Sequence, residues 1–204
     1  WEDFVVARNQ DTCDSIQGLL KEYLNVEVEV KEYFSSIALL SAIASGEADL
    51  TIGFAETRKR AEQFEFSDNL YDIQNVYWYR DDVAKNTPYD QLKWVCIKSS
   101  LFCQLLNQQG ISDPMVVNST SELLPAIDNG FADATILDLI SVQSYYSVMT
   151  PGEWQGALSF RQDLPRFPVQ IMMNQNDNVM HGIIEKFIRD KKNDIAKLWQ
   201  RLKQ

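Results

Sequence analysis

One stretch of this sequence is written nearly twice. The segment Ala42-Ile43-Ala44-Ser45-Gly46-Glu47-Ala48-Asp49-Leu50-Thr51-Ile52 recurs as Ala126-Ile127-Asp128-Asn129-Gly130-Phe131-Ala132-Asp133-Ala134-Thr135-Ile136, with the same residue at the Ala, Ile, Gly, Ala, Asp, Thr and Ile positions. Each copy reads as the end of an apolar helix, a glycine that stops it, a turn carrying Asp, and an apolar strand. A chain that builds one helix-to-strand joint twice is expected to fold as two α/β lobes. In that reading Asp49 and Asp133 are structural turn residues.

The flanking sequence repeats the same grammar. Residues 4–7 are an apolar run fit for a buried strand, and Ile16, Leu19, Leu20, Tyr23 and Leu24 recur at helical spacing. Val26, Val28 and Val30 alternate with Glu27 and Glu29 as in a strand, Ser35 or Ser36 offers an N-cap for a helix over 37–44, and residues 50–54 form another buried strand. Later, strands at 94–97 and 115–117 alternate with helices at 102–107, 123–127 and 139–146, and Ser119 and Glu122 stand at capping-box spacing. The tail from Asn178 to Leu202 carries two apolar stripes of helical period, with Lys191 and Lys192 as a solvated joint. Such β/α alternation implies mainly parallel sheets flanked by helices. The chain is expected to cross between lobes near Leu70–Gln74 and again near Arg166–Gln170, where Pro165 and Pro168 bracket a return. That places 1–72 and 170–204 in lobe one and 73–169 in lobe two.

Charge and composition remove several classes of function. At 204 residues and 45% hydrophobic content the chain can bury a substantial core, and its net charge of −10 repels the phosphates of nucleic acid and anionic membrane surfaces. No nucleic-acid partner is expected. No run approaches the roughly 18–20 apolar residues that span a bilayer. Because the sequence opens on Trp1 rather than Met, an N-terminal segment, either a signal peptide or flanking sequence, is expected to precede it. Cys13, Cys96 and Cys103 lack CxxC spacing and His181 is the single histidine, so neither a Cys/His metal site nor a cofactor is expected. Cys96 and Cys103 can pair across a short loop, and three unpaired thiols are an equal alternative.

The order Gly46-x-x-Asp49, Gly53, Thr57-x-x-Arg60 and Phe66-Ser67-Asp68-x-x-Tyr71, followed by Gly130-x-x-Asp133, Asp138 and a terminal Lys197-Leu198-Trp199, resembles the family 3 extracellular solute-binding proteins. These are type II periplasmic binding proteins of the amino-acid-binding type, and the same fold serves as the sensor domain of some membrane histidine kinases. The resemblance implies a two-lobed α/β fold with a hinge of two crossings and a periplasmic or otherwise extracytoplasmic location. It implies a monomer that takes a small zwitterion such as an amino acid, with an inner-membrane ABC permease or a signalling protein as partner. An α-amino acid carries a carboxylate and an ammonium a few ångströms apart, so its site needs a forked cation and an opposing carboxylate. By resemblance Arg60 grips the carboxylate and Asp138 takes the ammonium, with Gly53, Ala55, Thr57, Ser100 and Ser36 completing the ligand-binding set.

The sequence also departs from the family pattern. The segment between Val6 and the first helix is short, Ser36 stands where an aromatic wall residue is usual with Phe34 two positions away, and Ala55 replaces a hydroxyl residue. Ser100 and Leu101 replace a Gly-Thr or Gly-Ser pair. These changes point to a polar side chain on the ligand or to modest affinity. Two alternatives stand beside transport: a ligand-sensing domain of a membrane signalling protein, and a cyclohexadienyl-dehydratase-like enzyme or a degenerate module without a ligand. No catalytic residues are expected, since Glu56 beside the Thr57-x-x-Arg60 motif is the only additional acid near the site and reads as an exposed loop residue.

Overall fold

The two copies of the repeat build the same joint. The first copy ends helix α2 (Ser36–Ser45) with Gly46 at φ 77° and enters strand β3 (Leu50–Phe54); the second ends α6 (Thr120–Asp128), with Gly130 at φ 77°, and enters β9 (Ala134–Asp138). A left-handed residue after a helix favours glycine. The Ala48 amide donates to the Ala42 carbonyl and the Ala132 amide to that of Ala126, so both turns tuck back on the last helical turn in the same way. Asp49 then pairs with Val5 and Asp133 with Lys93, each through backbone and carboxylate together.

In this computed structural model, which describes residues 4–8, 14–84, 86–142, 156–159 and 164–202, the chain divides into two compact units, Trp1–Asp72 with Phe167–Gln204, and Ile73–Arg166.

The first unit comprises β1 (Phe4–Arg8), α1 (Asp14–Leu24), β2 (Val28–Glu32), α2, β3, α3 (Arg58–Ala61), β4 (Phe64–Phe66) and β5 (Tyr71–Ile73). After the second unit the chain returns as β11 (Phe167–Asn174), α7 (Asn178–Asp190) and α8 (Lys192–Leu202). Its sheet runs β2-β1-β3-β11-β4, with β5 also on β11. Strands joined through helices pair in parallel, β1 with β2 and β3, whereas β11 arrives without such a crossover and runs antiparallel to β3 and β4. Leu39, Ile43, Phe54 and Met172 lie in its core. Met180, Ile184 and Phe187 bury one face of α7, Tyr23 of α1 meets the Phe187 ring, and Trp199 of α8 stacks on Tyr71 at 4.4 Å.

The second unit comprises β6 (Asn75–Arg80), α4 (Asp81–Ala84), β7 (Val95–Ile97), α5 (Leu101–Gln108), β8 (Met115–Val117), α6, β9 and β10 (Gly156–Ser159). β6 lies between β10 and β9, antiparallel to both; β7 and β8 pair in parallel, and a parallel bridge from Trp94 to Ala134 ties them to β9. Trp78, Leu123, Leu124 and Ile127 are fully enclosed.

Details of capping differ from the sequence expectation. Ser35, not Ser36, caps α2, its Oγ accepting from the Ala38 amide. Glu122 reaches past Ser119 to the Asn118 amide at 2.9 Å, so the reciprocal capping box does not close. Residues 139–142 are helical, and the rest of the helix expected to 146 lies outside the described residues, as do Cys13 and the segment after β1.

Candidate functional site

In open α/β sheets ligands bind beyond the carboxyl ends of parallel strands, where the loops gather. In the first unit those ends belong to β1, β2 and β3, and the described loops there are 33–35 and 55–57. Gly53, Ala55, Thr57 and Arg60 occupy the β3 end, and Ser36 begins the helix that follows β2.

Gly53 makes this loop possible. β11 pairs Gln170 with Phe54 and Ile171 with Ile52, leaving Gly53 as the extra residue of a bulge, at φ 112°. A side chain is strained at that angle. The bulge turns Phe54 and Ala55 so that Ala55 buries its methyl group and offers its carbonyl to Arg60.

Thr57 then caps α3, its Oγ1 accepting the Arg60 amide at 3.2 Å. The Arg60 guanidinium donates through Nη1 to the Ala55 carbonyl at 2.8 Å and lies over the Phe54 ring, 5.0 Å from its centre. Burial pushes its pKa down from the ordinary guanidinium value to about 10. A partly desolvated cation of this kind gains from a carboxylate that restores what water no longer provides.

In the second unit the corresponding ends are those of β7, β8 and β9. Ser100 caps α5, and the disulfide Cys96–Cys103, with Cα atoms 5.2 Å apart, ties β7 to that helix across the turn carrying Ser99 and Ser100. Ser99 has φ 62°, an uncommon angle for a residue with a side chain. Asp138 closes β9, and its carboxylate accepts the Ser141 amide at 2.8 Å and the Ser141 hydroxyl at 2.6 Å. It is an N-cap. Burial pushes its carboxyl above the ordinary value while the Ser141 bonds pull it down. A carboxylate with two such bonds retains lone pairs for a cation.

Arg60 therefore belongs to the first unit and Asp138 to the second. Sequence reasoning passed over Gln170, whose buried amide holds the loop before Arg60, and Asn75, whose Nδ2 donates to the Pro165 carbonyl at 2.7 Å. Gln170 stands as a lone amide in the apolar run 169–173, whereas Asn75 follows Gln74 and carries no such mark. Among the described residues no group of three or more His, Cys, Asp or Glu could hold a metal, and no helix is long and apolar enough to cross a membrane.

The profile of the bacterial extracellular solute-binding proteins, family 3, matches residues 13–201. The chain belongs to that family. Among curated relatives, the membrane-bound lytic murein transglycosylase F of Shewanella sp. (strain W3-18-1) is 34% identical over 131 residues, 60% of this chain and 28% of that protein. The chain thus spans little more than a quarter of the length of such relatives. Among solved structures, the BvgS periplasmic domain of B. pertussis superposes with TM-score 0.82 at 20% identity, covering 100% of this chain and 43% of that one. The amino acid ABC transporter substrate-binding protein AbpA from Streptococcus pneumoniae, bound to L-arginine, does so with TM-score 0.80 at 19% identity, over 98% of this chain and 94% of that one. At these identities the likeness establishes the fold.

Proposed function

We propose that the chain binds an amino acid or a close zwitterionic derivative, with Arg60 as the carboxylate pole and Asp138 as the ammonium pole. The observation that carries this reading is the partly buried Arg60 guanidinium, held by the Ala55 carbonyl at the carboxyl end of β3. A simple anion would meet Asp138 as a repulsion and a simple cation would meet Arg60 so, whereas a zwitterion satisfies both. Phe34, on the loop after β2 and 97% exposed, supplies the aromatic surface that Ser36 lacks. Ser100 and Thr57 add hydroxyls on their respective units.

The binding domain carries no reaction of its own in this reading. Glu56 is exposed, and among the described residues its tie is the backbone amide's donation to Gln170 Oε1. The location is extracytoplasmic and the protein acts as a monomer on a membrane partner, either an ABC permease or a signalling protein. A second reading, a ligand-sensing domain within a longer membrane protein, is favoured by one observation: both the curated relatives and the BvgS periplasmic domain extend well beyond the matched region.

A thermal-shift screen of the twenty amino acids, nucleosides and small carboxylates tests the proposal, because a ligand that binds only the folded state raises the melting temperature. Amino acids alone should stabilise. Stabilisation only by ligands without an amine would overturn the zwitterion reading.

A further inference from the structure

Gln170 is the fourth residue of β11 and faces Phe54, whose ring carries the Arg60 guanidinium. Its side chain is 7% exposed, and both ends of its amide are used. Oε1 accepts the Glu56 amide at 2.8 Å, and Nε2 donates to the Ser67 carbonyl at 2.9 Å. The two partners fix the amide's orientation, since only the oxygen can accept an N–H and only the nitrogen can donate to a carbonyl. Ser67 is locked to the same strand, its amide donating to the Ile171 carbonyl and its Oγ accepting the Ile171 amide, both at 2.9 Å.

Glu56 is the middle residue of the loop 55–57. On one side of it the Ala55 carbonyl receives Arg60 Nη1, and on the other Thr57 caps the turn from which Arg60 projects. Gln170 is thus a buried side chain that ties this loop, with exposed Glu56 at its middle, to β11, the strand on which the chain re-enters the unit after Arg166.

We propose that Gln170 is a positioning residue: it sets the Arg60 guanidinium for ligand by holding the Ala55–Thr57 loop, and it makes that setting depend on the placement of β11. The proposal rests on the reading of Arg60 as the carboxylate pole, so its test includes measurements that need no ligand.

In the wild-type protein the Glu56 amide should exchange with solvent on the order of a hundredfold more slowly than in an unstructured peptide, although Glu56 itself is exposed. Exchange at the peptide rate would overturn the proposal whatever any variant does. In Gln170→Met, which keeps the volume and removes both bonds, phenylglyoxal should modify Arg60 several-fold faster, read by peptide mass spectrometry. Gln170→Glu keeps an oxygen for the Glu56 amide and should restore most of the wild-type rate. A folded Gln170→Met with an unchanged Arg60 rate would overturn the proposal. L-arginine, L-glutamate and L-glutamine then serve as calorimetric probes: affinity for whichever binds should fall about tenfold in Gln170→Met, the size of one to two lost hydrogen bonds. If none binds the wild type while Arg60 still loosens in Gln170→Met, the zwitterion reading fails for these probes and the positioning role stands.

Discussion

Asp133 holds Lys93 at two points: its amide donates to the Lys93 carbonyl at 2.7 Å, and its carboxylate accepts the Lys93 amide at 2.9 Å. Asp49 and Val5 repeat this at 2.8 and 2.6 Å in the other unit. Each aspartate so closes the joint between a helix and the neighbouring strand start. Asp133→Ala and Asp49→Ala should each cost about 1–3 kcal/mol, the price of leaving a backbone amide without its acceptor. With no shared partners the double variant should lose the sum, measured by urea unfolding. A strongly subadditive double variant would show that the joints are not independent.

Arg60→Ala should remove amino-acid binding in a protein that still folds, at a cost of about 1–3 kcal/mol in stability for the Ala55 carbonyl left without its donor. The loss of a charge-assisted pair is worth about 2–5 kcal/mol of binding. Arg60→Lys should recover only part of it, because an ammonium cannot keep the Ala55 carbonyl and the ligand in one planar fork. Calorimetry showing wild-type affinity for Arg60→Ala would exclude Arg60 from the site.

Asp138→Asn separates cap from charge. Asn caps helices as well as Asp does. Because burial raises the Asp138 carboxyl above its ordinary 3.8, the folded state holds that proton more tightly than the unfolded chain. Its ionisation therefore costs stability as pH rises through the raised value, and the cost disappears on acidification. Asp138→Asn should melt higher than wild type at neutral pH, with the gap closing as the pH approaches 3.8. Amino-acid binding should weaken strongly in the same variant, while the matching deaminated acid is spared.

Gly53→Ala forces a side chain onto φ 112° and should cost about 1–3 kcal/mol, with weaker ligand binding because the bulge aims the Arg60 loop. Unchanged stability would mean that the bulge relaxes to an ordinary strand. Replacing the Cys96–Cys103 pair by alanines should cost about 2–3 kcal/mol for so short a loop, read by denaturant melts against the oxidised wild type.

Local chemistry explains which parts of the molecule were readable in the sequence. Gly46 and Gly130 stop their helices through their own backbone, so the residue alone announces the joint. Thr57 and Ser100 also cap within three residues, but as members of the ligand-binding set neither was read as a cap. Strands β6 and β11 were not marked. Val76, Tyr77 and Trp78 are all buried, as are residues 169–173, so neither run alternates between a wet and a dry face. The choice between Ser35 and Ser36, or between Asn118 and Ser119 as the target of Glu122, turns on a one-residue register that composition does not encode. The roles of Gln170 and Asn75 were hidden for a different reason. Their partners Glu56 and Pro165 stand 114 and 90 residues away, so only the folded chain brings their amides to use.

The sheet order also dictates a timetable for synthesis. β11 lies between β3 and β4, and the chain reaches it only after Ile73–Arg166 has been made. The continuous second unit can condense as soon as it clears the ribosome, since domains fold as units during synthesis. The first unit, though begun earlier, waits with β3 and β4 unjoined until Phe167–Asn174 arrives to fill the gap. A ribosome stalled before Phe167 would therefore present a protease-resistant second unit and a cleavable first one, so of these two units the one whose synthesis starts earlier is the last to become native.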